Sequence, residues 1–154
     1  MSAMRISLPR TSFILVALGF LLLSGLATRA QTMKLEAQLV WGTNDKTSPN
    51  PKHVPVERDI EKKLNDIPLK WTHYFVVSRT NFTVSQGATN KASLSERCAI
   101  EVKNLGHSTI EISHFGKGER VWTGKQAMPK AEVLILGGNA PSATSWLVVL
   151  KRIE

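Results

Sequence analysis

Lys34-Leu35-Glu36-Ala37-Gln38-Leu39-Val40-Trp41-Gly42 decides the fold class. Leu35, Ala37, Leu39 and Trp41 alternate with Lys34, Glu36 and Gln38. A period of two sends one set of side chains to a buried face and the other to water, which is the pattern of a strand. The same kind of segment recurs after Trp71, over residues 72–78, 81–85, 91–95, 98–103, 108–115, 120–125, 131–136 and 145–153. Gln86-Gly87, Asn104-Leu105-Gly106 and Gly116-Lys117-Gly118 stand between these segments as turn signals. Short strands at such spacing predict a mainly β fold, an antiparallel β-sandwich or a partly open barrel.

One segment changes period. Val56, Ile60, Leu64 and Ile67 recur at helical spacing, while Glu57, Arg58, Glu61, Lys62 and Lys63 take the other side. This predicts one short amphipathic helix over residues 56–67, docked by Ile60 and Leu64. Pro55 sits where a first-turn proline is tolerated, and Pro68 stops the helix. The helix is expected to cap an open end or one sheet edge, with Glu57, Asp59, Glu61 and Asp66 on a solvated face. Before it, residues 44–55 hold Pro49, Pro51 and Pro55, and such a stretch reads as an extended connection without a regular ladder.

The first thirty residues follow a different grammar. Arg5 and Arg10 give a basic start, an apolar core runs over residues 13–23, and Thr28-Arg29-Ala30 offers a small-residue exit. No Asp or Glu precedes Glu36. This is the order of a cleavable signal peptide over residues 1–30, leaving one β-rich domain over residues 31–154 that begins at Gln31. Retention as a membrane anchor is the rival, disfavoured by the small exit residues and because residues 11–27 lie at the short end of a span, where about 17–25 residues are usual. The location expected is periplasmic or extracellular, with no stable membrane insertion after cleavage.

Removing Arg5, Arg10 and Arg29 takes three from the 20 basic residues and leaves 17 against 12 acidic ones, a balance of +5. That is ordinary solubility charge. The bases are scattered rather than gathered in a stripe with aromatics among them, so the pattern gives no nucleic-acid surface. Cys98 is the only cysteine, so no internal disulfide forms, and an apolar core must hold the domain.

The chemistry-bearing residues are few. Cys98 alternates with Ile100 and Val102 and reads as a core thiol. His53, His73, His107 and His114 have neither the spacing nor the cysteine partners of a zinc site, so no metal and no cofactor is expected. A pocket gathering His73 or His114 with Cys98 or a carboxylate would mark a small hydrolase or metal enzyme assembled from distant strands. The Gly137-Gly138-Asn139-Ala140-Pro141-Ser142 stretch lacks the Lys-Ser/Thr of a phosphate loop and reads as a connection between strands. Asn81-Phe82-Thr83 fits the N-glycosylation pattern but falls within a predicted strand.

Four tryptophans complete the set. Trp41 and Trp146 keep the apolar phase of their strands and are assigned to the core. Trp122 lies in a polar strand beside Arg120 and Lys125, and these three are the candidate binding residues. The function expected is non-catalytic binding of another envelope protein through a strand edge or the surface around Trp122. The alternatives are a carbohydrate or cell-wall ligand stacked on the same indole, self-association, or the small enzyme described above.

The layout from Leu35 onward resembles small exported β-domain proteins of Gram-negative bacteria. The residues that carry it are Leu35 to Trp41, the helix around Ile60 and Leu64, Tyr74-Phe75-Val76-Val77, Val133-Leu134-Ile135-Leu136-Gly137-Gly138, and Trp146-Leu147-Val148-Val149-Leu150. The resemblance implies the β fold and export. Such proteins have no established activity to carry over.

Overall fold

In the computed structural model, which describes residues 30–137 and 144–154, the alternating segments become two antiparallel sheets. Among the described residues, nine strands and one helix follow in chain order. They are β1 (Thr32–Thr43), β2 (Val54–Pro55), α1 (Arg58–Asn65), β3 (His73–Ser85), β4 (Thr89–Ser95), β5 (Cys98–Gly106), β6 (Thr109–Gly116), β7 (Glu119–Ala127), β8 (Val133–Leu136) and β9 (Ser145–Arg152). One sheet has the order β2-β3-β1-β9-β8, and the other is the meander β4-β5-β6-β7. The fold is a β-sandwich with one short helix. The proposed signal segment lies outside the described residues, as does most of the glycine loop before β9.

The central strand explains the layers. Met33, Leu35, Ala37 and Leu39 of β1 are buried against Ile100, Val102, Ile110 and Ile112 of the opposing sheet. Val40 points the other way, into a second cluster with Ile60, Leu64, Leu147 and Val149. The five-stranded sheet is therefore apolar on both faces, with the meander on one and α1 on the other. The expectation that the helix caps an end or an edge is corrected: it covers a sheet face. The reason lies in β9, whose continuous run Leu147-Val148-Val149-Leu150 is wholly buried and needs cover on both sides.

Ion pairs reinforce the helix seat. Lys151 Nζ lies 2.8 Å from Asp59 and 3.2 Å from Glu57, and Arg79 lies 3.2 Å from Glu57. Glu57 and Asp59 thus reach back to the sheet instead of facing only water. Beneath them Gln38 is fully buried and donates to Glu36 Oε1 at 2.6 Å.

Three local readings also change. Residues 72–78 and 81–85 are one strand, β3, because β1 pairs across the interval, Gln38 opposite Arg79 and Ala37 opposite Thr80. The interruption is a bulge at Val77, opposite the Leu39/Val40 step. Asn104-Leu105-Gly106 belongs to β5, and the turn falls on His107-Ser108, both left-handed at φ 49° and 56°. Pro55 does join a ladder, opposite Phe75, but in a two-residue edge strand where its missing N–H faces no neighbour.

One end of the sandwich is sealed by polar side chains. Asn104, fully buried, donates to the carbonyls of Gln31 and Val84 at 3.0 Å each, and its Oδ1 accepts from Gly106 N–H at 2.9 Å. Arg152, also buried, donates to Met128 O at 2.7 Å and to Ser108 Oγ at 3.0 Å. The opposite end has no such plug among the described residues.

Candidate functional site

At the unplugged end the sheets part over a cavity of about 710 Å³. Leu39, Val77 and Val148 form its apolar floor, with Cys98, His114 and Trp146 around them. A second cavity, of about 540 Å³, shares His114 and continues between β7 and β8, lined by Trp122, Gln126, Leu134 and Leu136. The side of the sandwich where β3 turns into β4 is closed: Ser78 Oγ donates to Leu94 O at 2.6 Å and Asn90 Nδ2 to Thr83 O at 3.1 Å. The second cavity lies on the β7/β8 side, where both strands are sheet edges, whereas the first is lined from the β4–β5 and β6–β7 turns.

Trp146 is the residue that sequence reasoning missed. Its strand phase does place it on the inner face, but it is 56% exposed. The register explains this. Trp41 pairs with Phe75 on one side and Trp146 on the other, so three aromatics occupy one face of adjacent strands at the open end. Trp41 and Phe75 pack at 6.1 Å between ring centroids, and Trp146 is left as the exposed member. Period-two patterning gives the face and says nothing about where the opposing sheet stops. The one available signal was the position of both tryptophans at strand ends next to turn residues.

Cys98 is half-buried at the edge of the core cluster, and its sulfur lies 3.6 Å from His114 Nε2. The structure therefore brings together the thiol–imidazole pair that would mark an enzyme. Burial pushes the Cys98 thiol up from its ordinary value and the His114 imidazole down. Both shifts favour neutral thiol and neutral imidazole over a thiolate–imidazolium pair. Glu96 lines the same cavity. Among the described residues, no three His, Cys, Asp or Glu side chains group to hold a metal ion. The remaining histidines are ordinary: His53 bonds Ser48 Oγ at 2.8 Å, and His73 bonds Thr72 Oγ1 at 2.9 Å.

The His114 shift has a consequence for stability. Its folded-state value lies below the unfolded one, so between the two the unfolded chain binds more protons and stability falls as the pH falls. Denaturant midpoints are expected to drop as the pH is lowered from 7 through the ordinary imidazole value of about 6.5, and less so in His114→Gln. The lowered carboxylates cannot mimic this. Asp59, hydrogen-bonded to Lys151, and Glu132, hydrogen-bonded to Lys63, contribute stability that is lost only in a more acidic range. An unchanged slope in His114→Gln would refute the assignment.

Trp122, Arg120 and Lys125 do not form one patch. Trp122 pairs with His114 and faces the cavity between the sheets, its indole lying over Gly124, where a Cβ would meet the ring at 2.4 Å. A bulge between His114 and Phe115 inserts Val121 and turns Arg120 to the outer face, 5.6 Å from the Phe115 ring. Lys125 lies opposite Glu111 on that outer face. Trp122 is nonetheless exposed, at 40%, in a strand whose residues are almost all open to solvent.

Comparison with protein-family models, with curated proteins and with solved structures finds no match to this chain.

Proposed function

We propose that this chain is an exported, non-catalytic domain that holds another envelope protein, pairing an extended segment of it with the free edge of β7 beside Trp122. The observation that carries this reading is the open β7/β8 side. β7 has nine residues, is hydrogen-bonded among the described residues to β6 alone, and presents its other edge across from β8. A free edge offers unpaired N–H and C=O groups to an incoming strand, and an exposed indole next to it supplies side-chain contact. Lys125 and the bulge at Val121 limit indiscriminate pairing along the same edge. Export rests on the order of charge, apolar core and small residues over 1–30. Among the described residues no helix is long and apolar enough to cross a membrane.

The test is affinity capture from an envelope extract with tagged protein purified from an exporting host, whose first residue should be Gln31. Trp122→Ala is expected to lose most of the captured partner. Equal capture by the variant would remove Trp122 as the anchor, and binding to insoluble glycan without a protein partner would favour the carbohydrate reading. A second reading, a thiol-dependent enzyme, is favoured by the Cys98–His114 contact. Alkylation rates against pH separate it from the first: binding predicts a Cys98 titration above the ordinary thiol range, and an activated thiol predicts one below it.

A further inference from the structure

We propose that the cavity beside Trp146 is a separate site for a single-chain anionic amphiphile of the fatty-carboxylate class. The volume, about 710 Å³, falls in the range of roughly 300–1,000 Å³ typical of sites for one small ligand. Its floor of Leu39, Val77 and Val148 offers no hydrogen-bonding side chain. Leu39 and Val148 lie opposite each other on paired inner strands whose neighbours on both sides are laddered. A peptide laid there would leave its own N–H and C=O groups desolvated and unpaired. A sugar would meet the same lack of partners. A hydrocarbon chain carries no such groups and fits the chemistry of the floor.

The mouth supplies the other half of the ligand. Arg97 and Lys117, both exposed, line it from two hairpin turns fastened together by Lys117 N–H donating to Arg97 O at 2.8 Å. Among the described residues neither side chain is in an ion pair. Glu96 is the one acid at the mouth, so cations outnumber it two to one. The Trp146 indole, 56% exposed, adds an aromatic surface to the same lining. Apolar depth with a cationic rim selects a molecule that is greasy along its length and anionic at one end. Cys98 lies in the lining and reports on occupancy.

The purified protein is titrated with palmitate and, separately, with hexadecanol, which has the same chain and no charge, by calorimetry below the critical micelle concentration. Saturable 1:1 binding of palmitate is expected, with Trp146→Ala weakening it about tenfold or more through lost apolar contact. Reversing both cations in Arg97→Glu/Lys117→Glu is expected to weaken palmitate about tenfold and to leave hexadecanol unchanged. Bound palmitate should also slow alkylation of Cys98. Absence of saturable binding, or binding that leaves Cys98 equally reactive, would overturn the proposal. A double-chain anionic phospholipid that competes while palmitate does not would overturn the single-chain assignment. Trp122→Ala leaves this cavity's lining intact and should bind palmitate normally, so failure here and failure of the partner reading are distinguishable.

Discussion

Replacing Leu64 by Ala is expected to lower the unfolding free energy by about 2–5 kcal/mol. Leu64 is fully buried between α1 and the outer face of the five-stranded sheet, in contact with a cluster that includes Val40, Leu147 and Val149. Truncation removes apolar contact and leaves a void that the sheet, held by ladders on both sides, cannot close. An eight-residue helix has little stability of its own, so most of what keeps α1 folded is this face. Urea unfolding of wild type and variant, with equal slopes, measures the difference. Lys63→Ala serves as the comparison: its ion pair with Glu132 at 2.8 Å is partly solvent-exposed and should change stability by no more than about 1 kcal/mol. A Leu64→Ala cost below that of Lys63→Ala would show that the helix is not docked on the sheet.

Asn104→Ala is expected to cost about 2–4 kcal/mol although it removes hardly any apolar surface. The side chain, at 0% exposure, satisfies the carbonyls of Gln31 and Val84 and the N–H of Gly106. Without it, the Val84 carbonyl and the Gly106 N–H lose a partner at the sealed end, while the Gln31 carbonyl keeps the Gln86 N–H at 2.9 Å, and methyl replacement offers none. Asn104→Asp should be at least as costly at neutral pH. It keeps an acceptor for Gly106 but sets a buried charge against two carbonyls. Denaturant melts check both variants, and an Asn104→Ala loss within about 0.5 kcal/mol of wild type would show that water replaces the amide there. Hydrogen exchange at Gly106 gives a local readout, because its N–H loses its acceptor in the Ala variant and keeps one in Asp.

Much of this architecture was legible along the chain. Leu35, Ala37 and Leu39 declared a strand by alternation, Ile60 and Leu64 a helix by their four-residue spacing, and both sets are buried as that spacing requires. Gly116-Lys117-Gly118 declared a turn, and Lys117 and Gly118 take the left-handed conformation that a tight hairpin needs. These are properties of consecutive residues, decided within one turn or one pleat. Arg79-Thr80 and Asn104-Gly106 misled because polar residues inside a strand look like a turn until a partner strand is seen to pair across them.

The site was less legible for a related reason. Trp122 was recognisable as an exposed aromatic, but a bulge of one residue at Val121 put it on the opposite face from Arg120, and plain alternation already sets Lys125 on the face opposite Trp122. With a period of two, each such insertion inverts the facing of every later side chain in the strand, and nothing in Arg120-Val121-Trp122 announces it. Alternation alone determined that Trp146 and Cys98 face inward. Only the packing of the two sheets decided that Asn104 and Arg152 plug one end while Cys98, His114 and Trp146 line a cavity at the other. Which face a residue takes is set by its neighbours in the chain. Whether that face is core or cleft depends on where the opposing sheet ends, and that is set by pairings between residues far apart in sequence.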